Sequence, residues 1–210
     1  MLNRRLFIAS SASIALVPQA AQARVLRLPS EIVNEIGNLP GRVVVGSTRP
    51  DATLIEFFDY NCGYCKRSAA EIRPLISADK NLRYILINYA ILGAPSIEAS
   101  RVALAASMQK IDGGYLALHE KLFALRGRVE ATRALQVAEE LGVKREKMIE
   151  DADSDLVTKA LMTASRLGND LGLAATPSFI GGREGVIGYL DLAQKRRAIA
   201  NLRKCEGLGC

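Results

Sequence analysis

The residues best suited to chemistry are two cysteines separated by two residues, Cys62-Gly63-Tyr64-Cys65. They lie where an apolar, β-rich run from Thr53 to Tyr60 gives way to a helical pattern beginning at Gly63. A helix N-terminus exposes unpaired N–H groups and about half a positive charge, which together stabilise a thiolate on the first cysteine. In that setting a thiol pKa of about 8.5 falls toward about 3.5–7. The second cysteine, one turn into the helix, is placed to close onto the first as a reversible disulfide. The alternative chemistry for such a pair is half of a zinc site. Against it, the other two cysteines, Cys205 and Cys210, are spaced C-x4-C far along the chain with no His nearby in sequence. His119 is the one histidine, so multi-His metal sites are excluded and any Cys/His or Ser/His pair would have to use it. Pro177 is the other unusual residue, because it opens a strand-like run, Thr176-Pro177-Ser178-Phe179-Ile180. Proline cannot donate to a sheet ladder, and a cis bond facing a ligand is one arrangement that accommodates it there.

Positioning these groups requires a sheet and helices. Val43 to Val45 reads as a short strand, Thr53 to Tyr60 as a central strand buried on both faces, and Leu82 to Ile91 as the next strand. Between the last two, Gly63 to about Ser77 is helical, with Pro74 expected to kink its end, so a βαβ unit results. Glu56 is an acid inside a strand that is otherwise apolar. From Pro95 to Asp170 no strand pattern occurs; Ser96–Gln109, Tyr115–Leu125, Thr132–Leu141, Arg145–Asp151 and Ser154–Leu167 read as helices separated by glycines, a helical insertion. Strand signals return at Thr176 to Ile180 and Gly185 to Gly188, and a last helix covers Leu190 to Lys204. Ahead of all this, residues 24–42 form an N-terminal arm with one short helix, for which Ser30 is the expected N-cap. The remaining residues, 205–210, are a C-terminal tail.

Composition bounds the reading. The chain has 210 residues, 49% hydrophobic and 24% charged, which excludes intrinsic disorder and a polytopic membrane protein. A formal charge of +6 is mild and identifies no partner. At the start, Arg4-Arg5, an apolar stretch from Leu6 to Val17 and the small-residue site Ala21-Gln22-Ala23 read as a cleavable export signal over residues 1–23. Arg4-Arg5-Leu6-Phe7-Ile8 is similar to a twin-arginine signal but departs at Asn3 and Ala9, so the twin-arginine and general secretory routes both stay open. All four cysteines lie beyond the cleavage site and would reach an oxidising compartment such as the periplasm.

Taken together, Ile55-Glu56-Phe57-Phe58-Asp59-Tyr60-Asn61-Cys62-Gly63-Tyr64-Cys65-Lys66, Ala175-Thr176-Pro177-Ser178-Phe179-Ile180 and the order of elements resemble the thioredoxin superfamily. Within it the match is to the DsbA-like thiol:disulfide oxidoreductases of bacterial envelopes. The resemblance implies an α/β thioredoxin fold, residues 43–94 and 171–204, interrupted by the helical insertion at 95–170. It implies catalysis of disulfide exchange by Cys62 and Cys65, with Glu56 as the buried acid beneath them. It further implies that Pro177 is a cis-proline, that Tyr64, Thr176 and Pro177 meet the substrate, and that the Thr176 backbone pairs with a substrate strand. No cofactor is expected. The implied partners are cysteine-containing protein substrates and a membrane redox partner, DsbB-like or DsbD-like. Two departures matter: Tyr64 brings no positive charge to the dipeptide, where many oxidases have His, and Gly63 replaces the commoner Pro. Gly-Tyr between the cysteines, with Thr before the proline, is also similar to the disulfide isomerases of the superfamily. Ile32, Val33 and Ile36 of the arm offer a small homodimer contact.

Other features have plainer readings. His119 falls on an apolar stripe, Tyr115, Leu118, Leu122 and Leu125, as a core histidine. Lys195-Arg196-Arg197 and Arg203-Lys204 lack interleaved aromatics and read as a solvated helix face, with no nucleic-acid partner. Cys205 and Cys210 are expected to form a structural disulfide, since Gly207 and Gly209 allow a tight turn and even numbers of cysteines pair in oxidising compartments.

Overall fold

The computed structural model describes residues 24–210, so the expected export signal lies outside the described residues. The strands are β1 (Arg24–Arg27), β2 (Val43–Gly46), β3 (Ala52–Phe58), β4 (Leu82–Asn88), β5 (Ser178–Gly181) and β6 (Glu184–Ile187). The helices are α1 (Ser30–Gly37), α2 (Gly63–Ala78), α3 (Ala94–Ser107), α4 (Gly114–Ala124), α5 (Ala131–Glu139), α6 (Arg145–Ala152), α7 (Asp155–Asp170) and α8 (Leu192–Cys205). All six strands join one sheet in the order β1-β6-β5-β3-β4-β2. Only β3 and β4 run parallel, joined through α2, with Glu56 opposite Leu86; β5 lies antiparallel on the other side of β3 and sets Phe179 opposite Glu56. This is the α/β thioredoxin architecture implied by the resemblance, with five helices, α3 to α7, between β4 and β5.

Strand periodicity divides the core into two. Leu54 and Phe58 of β3 and Leu82, Tyr84 and Leu86 of β4 pack with Ile72 of α2 and Ile199 of α8 on one face. Ile55, Phe57, Ile85 and Ile87 pack with Ile36 of α1 and Leu167 of α7 on the other. With both faces covered, β3 and β4 had to read as continuous apolar runs. Glu56 points to the α2 face, among residues that offer it little water.

Some sequence expectations need correction. The arm contains a strand, β1, which pairs antiparallel with β6; four residues, Arg-Val-Leu-Arg, are too few for period-2 alternation to stand out. Ser30 is the first residue of α1 rather than its cap; Pro29 occupies the cap position without a side-chain bond. Ile36 is fully buried against the sheet, and Ile32 and Val33 are half-buried on the same core. The helix α2 runs through Pro74 to Ala78. Strand β4 stops at Asn88, earlier than its apolar run, because the N–H groups of Ile91 and Leu92 turn to the Asp59 carboxylate at 2.9 Å each.

Helix α7 approaches the sheet closely at Gly168, where an added Cβ would lie 2.4–2.9 Å from the Tyr89 ring. Tyr89 cannot yield freely, since its hydroxyl donates to Leu173 O at 3.0 Å. Glycine-to-alanine in a helix interior normally gains about 1 kcal/mol, but overpacking against a fixed ring costs about 1–3 kcal/mol. Gly168→Ala is therefore expected to lower the urea midpoint, and a Tyr89→Leu background should turn the same substitution neutral or stabilising.

Candidate active site

The site begins with a buried carboxylate at the end of β3. Asp59 is fully buried and accepts from Asn61 N–H at 2.8 Å, Ser96 Oγ at 2.6 Å and the N–H groups of Ile91 and Leu92. Those bonds turn the chain out of the strand. Asn61 then reaches across to the helical segment, donating to Ser96 Oγ and Val129 O and accepting from Val129 N–H. With the turn fixed, Cys62 takes the N-cap position of α2, and its sulfur accepts from the Cys65 N–H at 3.3 Å.

From the other side comes the segment before β5. The Thr176–Pro177 peptide is cis, and the Cys62 thiol lies 3.1 Å from Thr176 O, to which it donates. The structure thus brings Cys62, Cys65, Thr176 and Pro177 together. Tyr64 stands exposed beside them, its ring 5.9 Å from Tyr189 and beneath the Arg67 guanidinium at 5.5 Å.

Electrostatics separates the two sulfurs. The hydrogen bond from the Cys65 side chain, helped by the Thr176 hydroxyl and the backbone N–H groups of Cys65 and Tyr64, outweighs desolvation and lowers the Cys62 pKa to about 6. Cys65 is wholly buried, and burial drives its pKa far up, assisted by its bond to Cys62 and the neighbouring Glu56 charge. Glu56 itself is raised by burial, against the opposing pull of the Lys195 cation and hydrogen bonds from Tyr84 and Ser68. A group with a high pKa next to a thiol with a higher one can carry a proton between that thiol and its surroundings.

Lys195 is the residue that sequence reasoning missed. Read as part of a solvated face, it is instead fully buried, donating to Ser68 Oγ at 2.7 Å and Glu71 Oε2 at 2.7 Å and lying 5.3 Å from the Phe179 ring. Its signal was present: Lys195 shares the i, i+3, i+4, i+7 stripe with Ala198, Ile199 and Leu202, the buried face of α8. A long stem and a nearby acid make that position tenable for an ammonium. Arg203, by contrast, is partly exposed and paired with Asp51 and Asp79.

The remaining residues of interest lie elsewhere. His119 is buried against Phe58, Tyr60 and Phe123, and desolvation lowers its pKa to about 3. It belongs to the core under the site and reaches neither cysteine of the pair. Cys205 and Cys210 are bonded to each other, with Cα atoms 6.6 Å apart, at the end of α8. Among the described residues there is no cluster of His, Cys, Asp and Glu that could hold a metal, and no helix long and apolar enough to cross a membrane.

Comparison with known proteins agrees with the fold. The DSBA-like thioredoxin domain matches residues 53–200. A thioredoxin-like oxidoreductase from Silicibacter pomeroyi is 36% identical, with a TM-score of 0.76 over 82% of this chain and 98% of its own. The thiol-disulfide exchange protein alpha-DsbA2 from Wolbachia pipientis is 25% identical, with a TM-score of 0.73 over 82% and 92% of the two chains. The catalytic domain of Proteus mirabilis ScsC, at 21% identity, shares the fold, with a TM-score of 0.70 over 82% and 97%. No curated protein matches the sequence.

The lowered Cys62 pKa has a direct readout. In the reduced protein, ultraviolet thiolate absorbance is expected to rise with a midpoint near 6, to lose that step in Cys62→Ser and to shift upward in Cys65→Ala. The folded state holds this proton less tightly than the unfolded chain, so the associated stability is present above the ordinary thiol pKa and is lost as pH falls through about 6. Urea midpoints of reduced wild type minus Cys62→Ala should therefore grow with pH across that window; a flat difference would contradict the assignment.

Proposed function

The chain belongs to the DSBA-like thioredoxin domain family and is a thiol-disulfide oxidoreductase, and on that premise we propose that it is an exported enzyme using Cys62-Gly63-Tyr64-Cys65 to exchange disulfides with protein substrates. The observation that carries this reading is the asymmetry between the two sulfurs: Cys62 low in pKa beside Thr176, Cys65 buried and high. In the oxidising direction, a substrate thiolate attacks the Cys62 sulfur. The bond to Cys65 breaks, and Cys65 leaves with the electron pair. A buried thiolate is costly there, so Glu56, through a water, delivers the proton that Cys65 takes up. A second substrate thiolate then attacks the substrate sulfur of the mixed disulfide and expels Cys62, a good leaving group because its thiolate is stabilised. The substrate has lost two electrons and the cysteine pair has gained them. A DsbB-like membrane partner that takes the two electrons restores the disulfide, whereas in the reducing direction a DsbD-like partner supplies electrons to keep the pair reduced.

In this reading Thr176 offers its backbone to an extended substrate segment, Pro177 keeps that segment against the sulfur, and Tyr64 flanks it. Lys195 opposes the burial penalty on Glu56 and acts as a positioning residue. The pair Cys205–Cys210 holds the end of α8 and has no part in exchange. Residues 1–23 direct export to the periplasm. The Gly-Tyr dipeptide and Thr176 favour one second reading, a disulfide isomerase or reductase of the same superfamily.

A scrambled-disulfide substrate separates the two. An oxidase converts reduced substrate to disulfides but leaves scrambled protein scrambled, whereas an isomerase restores its activity. Cys62→Ser is expected to abolish either activity and Cys65→Ser to accumulate mixed disulfides with substrate. Equal accumulation by both variants would overturn the division of roles. Tyr64→His should raise the redox potential in a glutathione titration, because a cationic ring would stabilise the Cys62 thiolate. Under graded reductant, alkylation should label Cys62 and Cys65 before Cys205 and Cys210.

A further inference from the structure

Beside Cys62, on the side facing the helical segment, lies a cleft of about 310 Å³. Its walls are Tyr60, Cys62, Gly63, Phe123, Leu125 and Val129, while Thr176, Pro177 and Tyr64 take no part in it. It is therefore separate from the backbone surface before β5 where an extended segment would pair.

Three features suit this cleft to an anionic side chain. First, Lys66 and Arg126 stand at its mouth, and no carboxylate lines it. The Lys66 ammonium is fixed there by donating to Leu125 O at 3.2 Å. Second, neither cation has a carboxylate partner among the described residues, which leaves both open to an external anion. Third, the loop carrying Arg126 is braced in place. Arg133 Nη1 donates to the carbonyls of Arg126 and Arg128 at 2.7 Å each, and Asn61 bonds both backbone groups of Val129. The backbone that carries Arg126 is thus fixed beside the cleft, and its side chain and that of Lys66 are exposed to an arriving anion.

We propose that this cleft is a specificity subsite that receives an acidic side chain next to the reacting cysteine of a protein substrate. The methylenes of a glutamate would lie on Tyr60, Phe123 and Leu125, with its carboxylate between Lys66 and Arg126. This rests on the reading of Cys62 as the exchanging sulfur, and it selects among substrates rather than providing the chemistry.

The test uses the intact reduced protein and short peptides whose single cysteine is a mixed disulfide with thionitrobenzoate. Attack by Cys62 on the peptide sulfur breaks that disulfide and releases coloured thionitrobenzoate. Peptides carry Glu, Gln or Lys next to the cysteine. At low ionic strength the Glu peptide is expected to react about two- to fivefold faster than the Gln peptide, and the Lys peptide slower than both. The ratio should shrink toward one as salt is raised. It should also collapse in Lys66→Gln/Arg126→Gln and reverse in favour of Lys in Lys66→Glu/Arg126→Glu. Thr132→Glu, on the exposed start of α5 outside the cleft, should leave the ratio as in the wild type. Equal rates for the three peptides with wild-type protein, or a Glu preference surviving charge reversal at the mouth, would overturn the subsite while leaving the exchange reading intact. Failure of every peptide to react, or reaction that persists in Cys62→Ser, would instead overturn the exchange reading.

Discussion

The buried carboxylate of Asp59 is the constraint on which the site depends. A chain leaving the middle of a sheet normally carries its unpaired N–H groups into solvent; here four donors from three segments converge on one side chain. Those bonds end β3, end β4 and attach the first turn of α3. The Ser96 hydroxyl, the fully buried donor among them, would cost about 1–3 kcal/mol if left unsatisfied. The Asp59 turn also decides where α2 starts, and hence which residue receives the open end of its backbone dipoles. Moving that start by one residue would give those N–H groups to Gly63, which has no sulfur to use them.

Below the turn, the interior is arranged so that neighbouring groups hold protons with very different strength. Cys62 releases its proton near neutrality, while burial raises the pKa of both Cys65 and Glu56. Environments that push adjacent titratable groups apart assign them separate roles. Lys195 moderates the cost of burying an acid there, and it is itself held by Ser68 and Glu71. Tyr189 donates to the second oxygen of Glu71, so the polar chain runs from the centre of the sheet to the aromatic pair at the surface.

Much of this was legible in the sequence. The parallel strands, the helix between them and the five later helices follow from hydrophobic period and glycine punctuation, and the cysteine pair announced itself by spacing and context. Strand β1 was not legible, since its partner β6 lies far along the chain and four residues carry no period of their own. Lys195 was misjudged because a run of three basic residues suggests solvent, although its helical phase pointed inward. Asp59 was visible only as a letter in a resemblance. That one carboxylate would gather donors from the ends of two strands and a helix is a tertiary fact, set by where the chain returns.

The two edges of the sheet, β1 and β2, have four residues each, and the long strands β3 and β4 lie inside. Long, open edges act as templates on which extended chains stack and aggregate. A thiol-disulfide oxidoreductase whose family acts on cysteine-containing protein chains meets that hazard whenever an extended segment comes near. Here such a segment can find few consecutive backbone partners on either edge, so stacking on the sheet has little length over which to grow.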